Sequence, residues 1–137
     1  NYAVSITEGL PQDPQYAAKA LVLGVYFSRE WLTAIADGYP QIGYYDRSKL
    51  FHIDLVVRPE ERSFDLRISG QLYDLDHQPV GILTARNLPF TKGYRGTGFR
   101  RLTLSQGSDY GGGSAMVVDN IHVGPVAGGR SLIALSD

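Results

Sequence analysis

The sequence predicts an all-β protein, an antiparallel β-sandwich (jelly roll) forming one domain over residues 1–137. Two observations carry this prediction. Short runs of apolar–polar alternation recur along the chain between Gly, Pro, Asn and Asp clusters, and none holds helical spacing for long. The composition agrees, with 16 glycines and 9 tyrosines against one methionine and one tryptophan. That mixture favours strands joined by tight turns.

The elements follow in order. A short strand is expected over 3–7, then a loop holding Pro11 and Pro14. Over 19–28, Leu21, Leu23, Val25 and Phe27 share one side, which predicts a strand. Residues 29–36 stay ambiguous. Trp31, Leu32 and Ile35 have helical spacing, but the run is short, so one turn and a continued strand are both open. Gly38-Tyr39-Pro40 marks a turn, 41–45 a strand, and Asp46-Arg47-Ser48 another turn.

The clearest signal lies over 49–70. Phe51, Ile53, Leu55 and Val57 share one face, with His52, Asp54 and Arg58 on the other. After Pro59-Glu60-Glu61-Arg62, Phe64, Leu66 and Ile68 oppose Asp65, Arg67 and Ser69. Two such strands with a short polar connection make a hairpin with one packed and one wet face. A strand and return strand follow over 71–86, turning at 76–79. Residues 87–98, with four of Pro and Gly, read as a loop. Residues 99–105 alternate again, 106–114 hold three consecutive glycines and read as a flexible turn, and 115–123 form an apolar strand interrupted at Asp119-Asn120. A last strand is expected over 131–135. No internal repeat or linker divides the chain.

Charge and composition limit the function classes. Thirteen basic residues face fourteen acidic ones, for a net charge of −1. Phosphate-neutralising nucleic-acid binders carry a basic excess, so no nucleic-acid partner is expected. The densest basic cluster, Lys92, Arg95, Arg100 and Arg101, reads as a solvated strand edge or as a local anion site. There are no cysteines, which excludes disulfides, thiolate zinc sites and thiol nucleophiles. No apolar run reaches the roughly 18 residues of a transmembrane helix. The chain starts at Asn1 without a signal peptide, as expected of a processed mature protein or a fragment.

Four segments carry a family resemblance. They are Phe51-His52-Ile53-Asp54-Leu55-Val56-Val57; Ser63-Phe64-Asp65-Leu66-Arg67-Ile68-Ser69-Gly70; Asn87-Leu88-Pro89-Phe90 with the strand at 99–105; and Val117-Val118-Asp119-Asn120-Ile121-His122-Val123-Gly124. In this order and spacing, over residues 41–124, they resemble the concanavalin A-like (laminin G-like) jelly-roll superfamily of secreted bacterial proteins. The resemblance implies a secreted or cell-surface protein and a polysaccharide or glycan partner. Such domains hold more strands before the hairpin, so the sheet is expected to be incomplete on its N-terminal side. An unpaired edge invites strand addition, and a homo-oligomer is one expected consequence.

Candidate chemistry is sparse. The paired carboxylates of glycoside hydrolases and the Tyr/His arrangement of jelly-roll lyases have no clear counterpart. Glu60-Glu61 sits in a turn, and Asp54 and Asp65 read as surface ion-pair partners of Arg58 and Arg67. His52, His77 and His122 have no ligand spacing. Asp74 and Asp76 could offer carboxylates to calcium or brace a turn. Asp119 could bind a metal or make structural hydrogen bonds. No cofactor is required, and a structural calcium ion is the candidate metal. The aromatic residues are the best functional signal. Trp31, Tyr44, Tyr45, Arg47 and Tyr94 are the candidate carbohydrate-binding set, because exposed rings stack on sugar C–H faces while polar neighbours bond the hydroxyls. The same rings could line a protein interface, and Trp31 reads first as a core residue. The expected function is a non-catalytic extracellular carbohydrate-binding module. The alternatives are an assembly domain completed by strand pairing with a neighbouring subunit, and a polysaccharide-degrading hydrolase or lyase.

Overall fold

The computed structural model describes residues 2–8, 21–47, 49–96, 98–106, 119–126 and 130–136. Ten strands form among them: β1 (Tyr2–Glu8), β2 (Leu21–Phe27), β3 (Trp31–Ile35), β4 (Gln41–Tyr45), β5 (His52–Arg58), β6 (Ser63–Tyr73), β7 (Pro79–Pro89), β8 (Phe99–Gln106), β9 (Asp119–Val126) and β10 (Arg130–Ser136). The protein is all-β. The strands make one antiparallel sheet in the order β8-β1-β2-β3-β4-β6-β5-β10-β9, with β7 on β6, curled into a half-barrel. Most ladders are hairpins between successive strands. Strands distant in sequence pair at β1–β8 and β5–β10.

The alternation that marked β5 and β6 in the sequence is what the sheet uses. Leu55, Phe64, Leu66 and Ile68 have no exposed surface, and Phe51, Ile53 and Val57 are buried beside them. Val4, Ile6, Leu23, Val25, Phe27, Leu32, Tyr45 and Leu72 complete the interior from the other half of the sheet. The ambiguous segment after β2 resolves as β3. Leu32 pairs with Phe27 across the β2–β3 ladder and inserts into the core. Burial of its alternate residues therefore decides against a helical turn.

β6 joins the two halves. The sequence suggested a break at Gly70, yet the strand runs on to Tyr73. β5 pairs its first part through Ser69, and β4 pairs its end at Leu72 and Tyr73. Because β7 flanks β6 from Ser63 to Tyr73, β4 and β5 must follow one another along the opposite edge. Gly70 is the changeover, with a φ of 148°. A Cβ there would lie 2.8 Å from the Leu50 carbonyl oxygen and 2.8 Å from Phe51 Cδ1. The position needs a residue without a side chain.

β7 also runs further than expected, to Pro89 rather than stopping before Asn87. The register slips between Phe64 and Leu66, and Asn87 takes a left-handed φ of 55°. An isolated asparagine tolerates that conformation, so a bulge extends the strand where the sequence suggested a loop. Arg58 locks the bulge. Its guanidinium bonds both carboxylate oxygens of Asp65 (2.7 and 3.0 Å) and donates to Asn87 Oδ1 (3.0 Å), while the Asn87 N–H donates to Asp65 Oδ1 (2.9 Å). Of the pairing expected of Asp54 and Asp65 with Arg58 and Arg67, the contact formed is Arg58–Asp65. Asp54 bonds His52 instead, at 2.9 Å.

An aromatic cluster packs against the core beside Arg62, at the opposite end of β6 from Tyr73. Tyr94 packs edge-on against Phe90 and stacks on Phe99, and Arg62 lies 5.1 Å over its ring. Glu8, buried at the end of β1, accepts a hydrogen bond from the Arg95 N–H at 2.6 Å and pairs with its guanidinium. Of the basic cluster noted in the sequence, Lys92 lies near Asp37 and Arg95 near Glu8. Among the described residues, no helix is long and apolar enough to cross a membrane. The expected glycine turn and the first residues of the expected 115–123 strand lie outside the described residues.

Candidate functional site

Sheet register brings three aromatic residues into one row. Trp31 stands opposite Tyr44, and Tyr44 opposite Tyr73, on the neighbouring strands β3, β4 and β6. Directly opposed residues of antiparallel strands point to the same face. Tyr45, Leu32 and Leu72 fill the inner face, so the row lies on the outer one. Tyr73 in turn opposes Pro79 of β7. With strands about 4.8 Å apart, the row crosses four strands over roughly 14 Å.

Several contacts shape this surface. The His77 ring, in the β6–β7 turn, stacks on Tyr44 with centroids 3.8 Å apart. Trp31 is 41% exposed, and no other ring covers it among the described residues. Tyr26 lies on the same outer face, opposite Thr33 and two positions from Trp31, and Tyr39 stacks on it. Burial, and then the Tyr39 ring, push the Tyr26 hydroxyl above its ordinary pKa. The Tyr73 hydroxyl donates to Asp46 Oδ2 at 2.9 Å, and that carboxylate holds the phenol protonated to higher pH. Arg47 donates from Nε to the Arg29 carbonyl at 2.8 Å and ties the end of β4 to the β2–β3 turn. The turn after β6 is braced by Asp74, whose Oδ1 accepts from the N–H groups of Asp76 and Gln78.

The residues singled out in the sequence thus divide. Trp31 and Tyr44 share the outer face, with Arg47 at its margin. Tyr45 does not join them. It is buried, edge-on to Phe27 and Phe51, and its hydroxyl donates to the Ser28 carbonyl. Burial raises its pKa against the opposing pull of Arg47. Successive residues of a strand point to opposite faces, so Tyr44 and Tyr45 cannot both line one surface. Tyr94 belongs to the cluster with Phe90, Phe99 and Arg62, at the opposite end of β6. Asp74 serves the turn, as one of its two sequence readings held. Asp119 begins β9, and its side chain lies outside the described residues. Among the described residues, no group of three or more His, Asp or Glu side chains could hold a metal ion.

Sequence reasoning missed Tyr73 and His77. Neither carries a local signal, since Tyr73 reaches Tyr44 only through the β4–β6 ladder between strands distant in sequence. His77 has a left-handed φ of 58° in its turn, which aims the ring back over β4.

A shallow depression adjoins the row. It has a volume of about 360 Å³ and is lined by Gly70, Gln71, Leu72, Tyr73, Pro79, Val80 and Gly81. Tyr73 and Pro79 belong to both features.

This is therefore an all-β protein with a continuous outer aromatic surface. Comparison with known protein families, curated proteins and solved structures found no match.

Proposed function

We propose that the chain is a non-catalytic carbohydrate-binding module, exported or displayed at the cell surface, whose site is the outer aromatic row of Trp31, Tyr44, Tyr73 and His77. The observation that carries the reading is the cross-strand alignment of Trp31, Tyr44 and Tyr73, with His77 stacked on Tyr44. Rings held on a sheet are rigid, so binding them to a ligand sacrifices little side-chain entropy. A flat row several rings long suits an extended glycan lying across the strands better than a small molecule that needs enclosure. Asp46, Arg47 and Gln71 stand at its margin to bond hydroxyl groups.

The test is a glycan array with the intact chain, followed by titration calorimetry on its hits. Trp31→Ala and Tyr44→Ala should each weaken binding about tenfold, corresponding to ~1–2 kcal/mol for an anchor side chain. Their melting temperatures should stay near that of the parent. Absence of binding across the array, or unchanged affinity in both variants, refutes the reading.

A second reading has its own support. Val123 opposes Ile133, which opposes Leu55, so Val123 stands on the inner, core-facing side of the sheet. Yet Val123 is 59% exposed and Ile121 is 50% exposed. Apolar side chains left exposed on the inner face, among the described residues, favour an assembly domain completed by a neighbouring subunit. Light scattering over a concentration series separates the two. A monomer throughout argues against completion, whereas a dimer that Val123→Lys dissociates supports it.

A further inference from the structure

The depression beside the aromatic row has a specific origin. Between Ser69↔Ile82 and Leu72↔Val80, two residues of β6 (Gly70 and Gln71) oppose the single residue Gly81 of β7. This is a β-bulge, and it opens the hairpin locally. Both sides of the opening lack side chains at Gly70 and Gly81. Their roles differ. Gly70 is packed against Leu50 and Phe51, whereas a Cβ built on Gly81 meets nothing within 4 Å. Gly81 also has no positive φ, so its backbone would accept any β-forming residue. Valine or leucine would suit an exposed strand position at least as well. The packing of the chain does not require glycine there. With glycine there, the position stays open beside a depression of about 360 Å³, at the lower end of the size range of small-molecule sites.

We propose that this depression is a subsite for one uncharged sugar unit, a branch or terminal residue of the glycan whose main chain lies along the aromatic row. The proposal rests on the reading of that row as a glycan surface. Continuity supports it, because the Tyr73 ring and Pro79 form the boundary between row and depression. Chemistry selects the occupant. The lining contains no Asp, Glu, Lys, Arg or His, so nothing there compensates a carboxylate or sulfate for lost water. Two groups can orient hydroxyls. The Gln71 side chain is exposed, and its amide both donates and accepts. The Tyr73 oxygen donates to Asp46 and keeps a lone pair to accept. On the outer face the apolar edge of Pro79, opposite Tyr73, meets the C–H surface of the sugar ring.

The experiment compares the parent chain with Gly81→Leu and Gln71→Ala, after thermal melts establish that both variants fold. The probes are linear and singly branched neutral oligosaccharides of the xylan, glucan and galactomannan types, with oligogalacturonate as the anionic counterpart, all measured by calorimetry. The parent should bind a branched neutral sugar more tightly than its linear partner. Gly81→Leu should abolish that preference, lowering affinity for the branched sugar about tenfold while leaving the linear one unchanged. Gln71→Ala should reduce the preference in the same direction. Equal affinities for branched and linear sugars in the parent, an unaltered profile in Gly81→Leu, or equal binding of oligogalacturonate overturns the subsite but leaves the aromatic row intact. Failure of the parent to bind any of these sugars overturns both.

Discussion

Removal of the Asp65 carboxylate should destabilise this protein by about 2–3 kcal/mol, near the upper range for hydrogen bonds to charged groups. The figure follows from what the carboxylate holds. Both oxygens accept from the Arg58 guanidinium, and one also accepts from the Asn87 N–H at the β7 bulge. The Arg58 side chain is 10% exposed and that of Asp65 is 26% exposed. Losing one partner of a fully buried pair costs roughly 3–5 kcal/mol, and an exposed pair contributes about 0–1. This pair lies between those limits, and Glu61 and Ser63 remain as partial partners for Arg58. In Asp65→Ala the melting temperature should fall by about 10 °C, taking roughly 4 °C per kcal/mol for a domain of this size.

The pH dependence is a sharper check. The Arg58 hydrogen bonds, opposed by burial and aided by the Asn87 N–H, hold the Asp65 carboxyl below its ordinary pKa. A depressed folded-state pKa stabilises the fold at pH values above the unfolded value, near 3.9. The contribution is lost as pH falls through the folded pKa. The stability gap between parent and Asp65→Ala should therefore be full at neutral pH and narrow below about pH 4. Urea melts across this window measure it. A gap under about 0.5 kcal/mol at neutral pH, in the range of an ordinary exposed pair, or a gap independent of pH, refutes the reasoning.

Other expectations concern the sheet itself. Gly70→Ala should cost about 1–3 kcal/mol or more, because its φ is hostile to side chains and its Cβ would press on the Leu50 carbonyl. Gly81→Ala, on the strand opposite, should be neutral or slightly stabilising, and the two melting curves make the comparison. Leu66, with no exposed surface, should cost about 2–5 kcal/mol on truncation to Ala. Leu66→Asp should cost more, roughly 3 kcal/mol or above, and leave little folded protein by circular dichroism.

Much of the architecture was legible in the chain. The alternation around Phe51–Val57 and Phe64–Ile68 specified two strands, their inner faces and the hairpin that pairs them, because a period of two leaves one register that buries every apolar residue. The same local rules marked β4, β8 and β10. They failed at Gly70 and Asn87, where the sequence shows turn residues and the structure shows continuing strands. At both places a neighbouring strand holds the backbone in a conformation that the residue merely permits.

The aromatic residues divide along the same line. The sequence alone marked Trp31 and Tyr44 as candidate binding rings, Tyr44 on a strand and Trp31 in a segment open between turn and strand, and strand parity already required Tyr45 to face away from Tyr44. It could not bring Tyr73 beside Tyr44 or His77 over it, nor send Tyr94 to the opposite end of β6. Those placements depend on β4 meeting the end of β6, a pairing between strands separated in sequence by β5. Local propensity and periodicity act within a few residues, so the chain determined which segments are strands and which side of each is apolar. The order of those strands around the half-barrel depends on burial of the whole inner face at once, and only the tertiary structure decided it. With that order came the outer row of rings and the open space over Gly81.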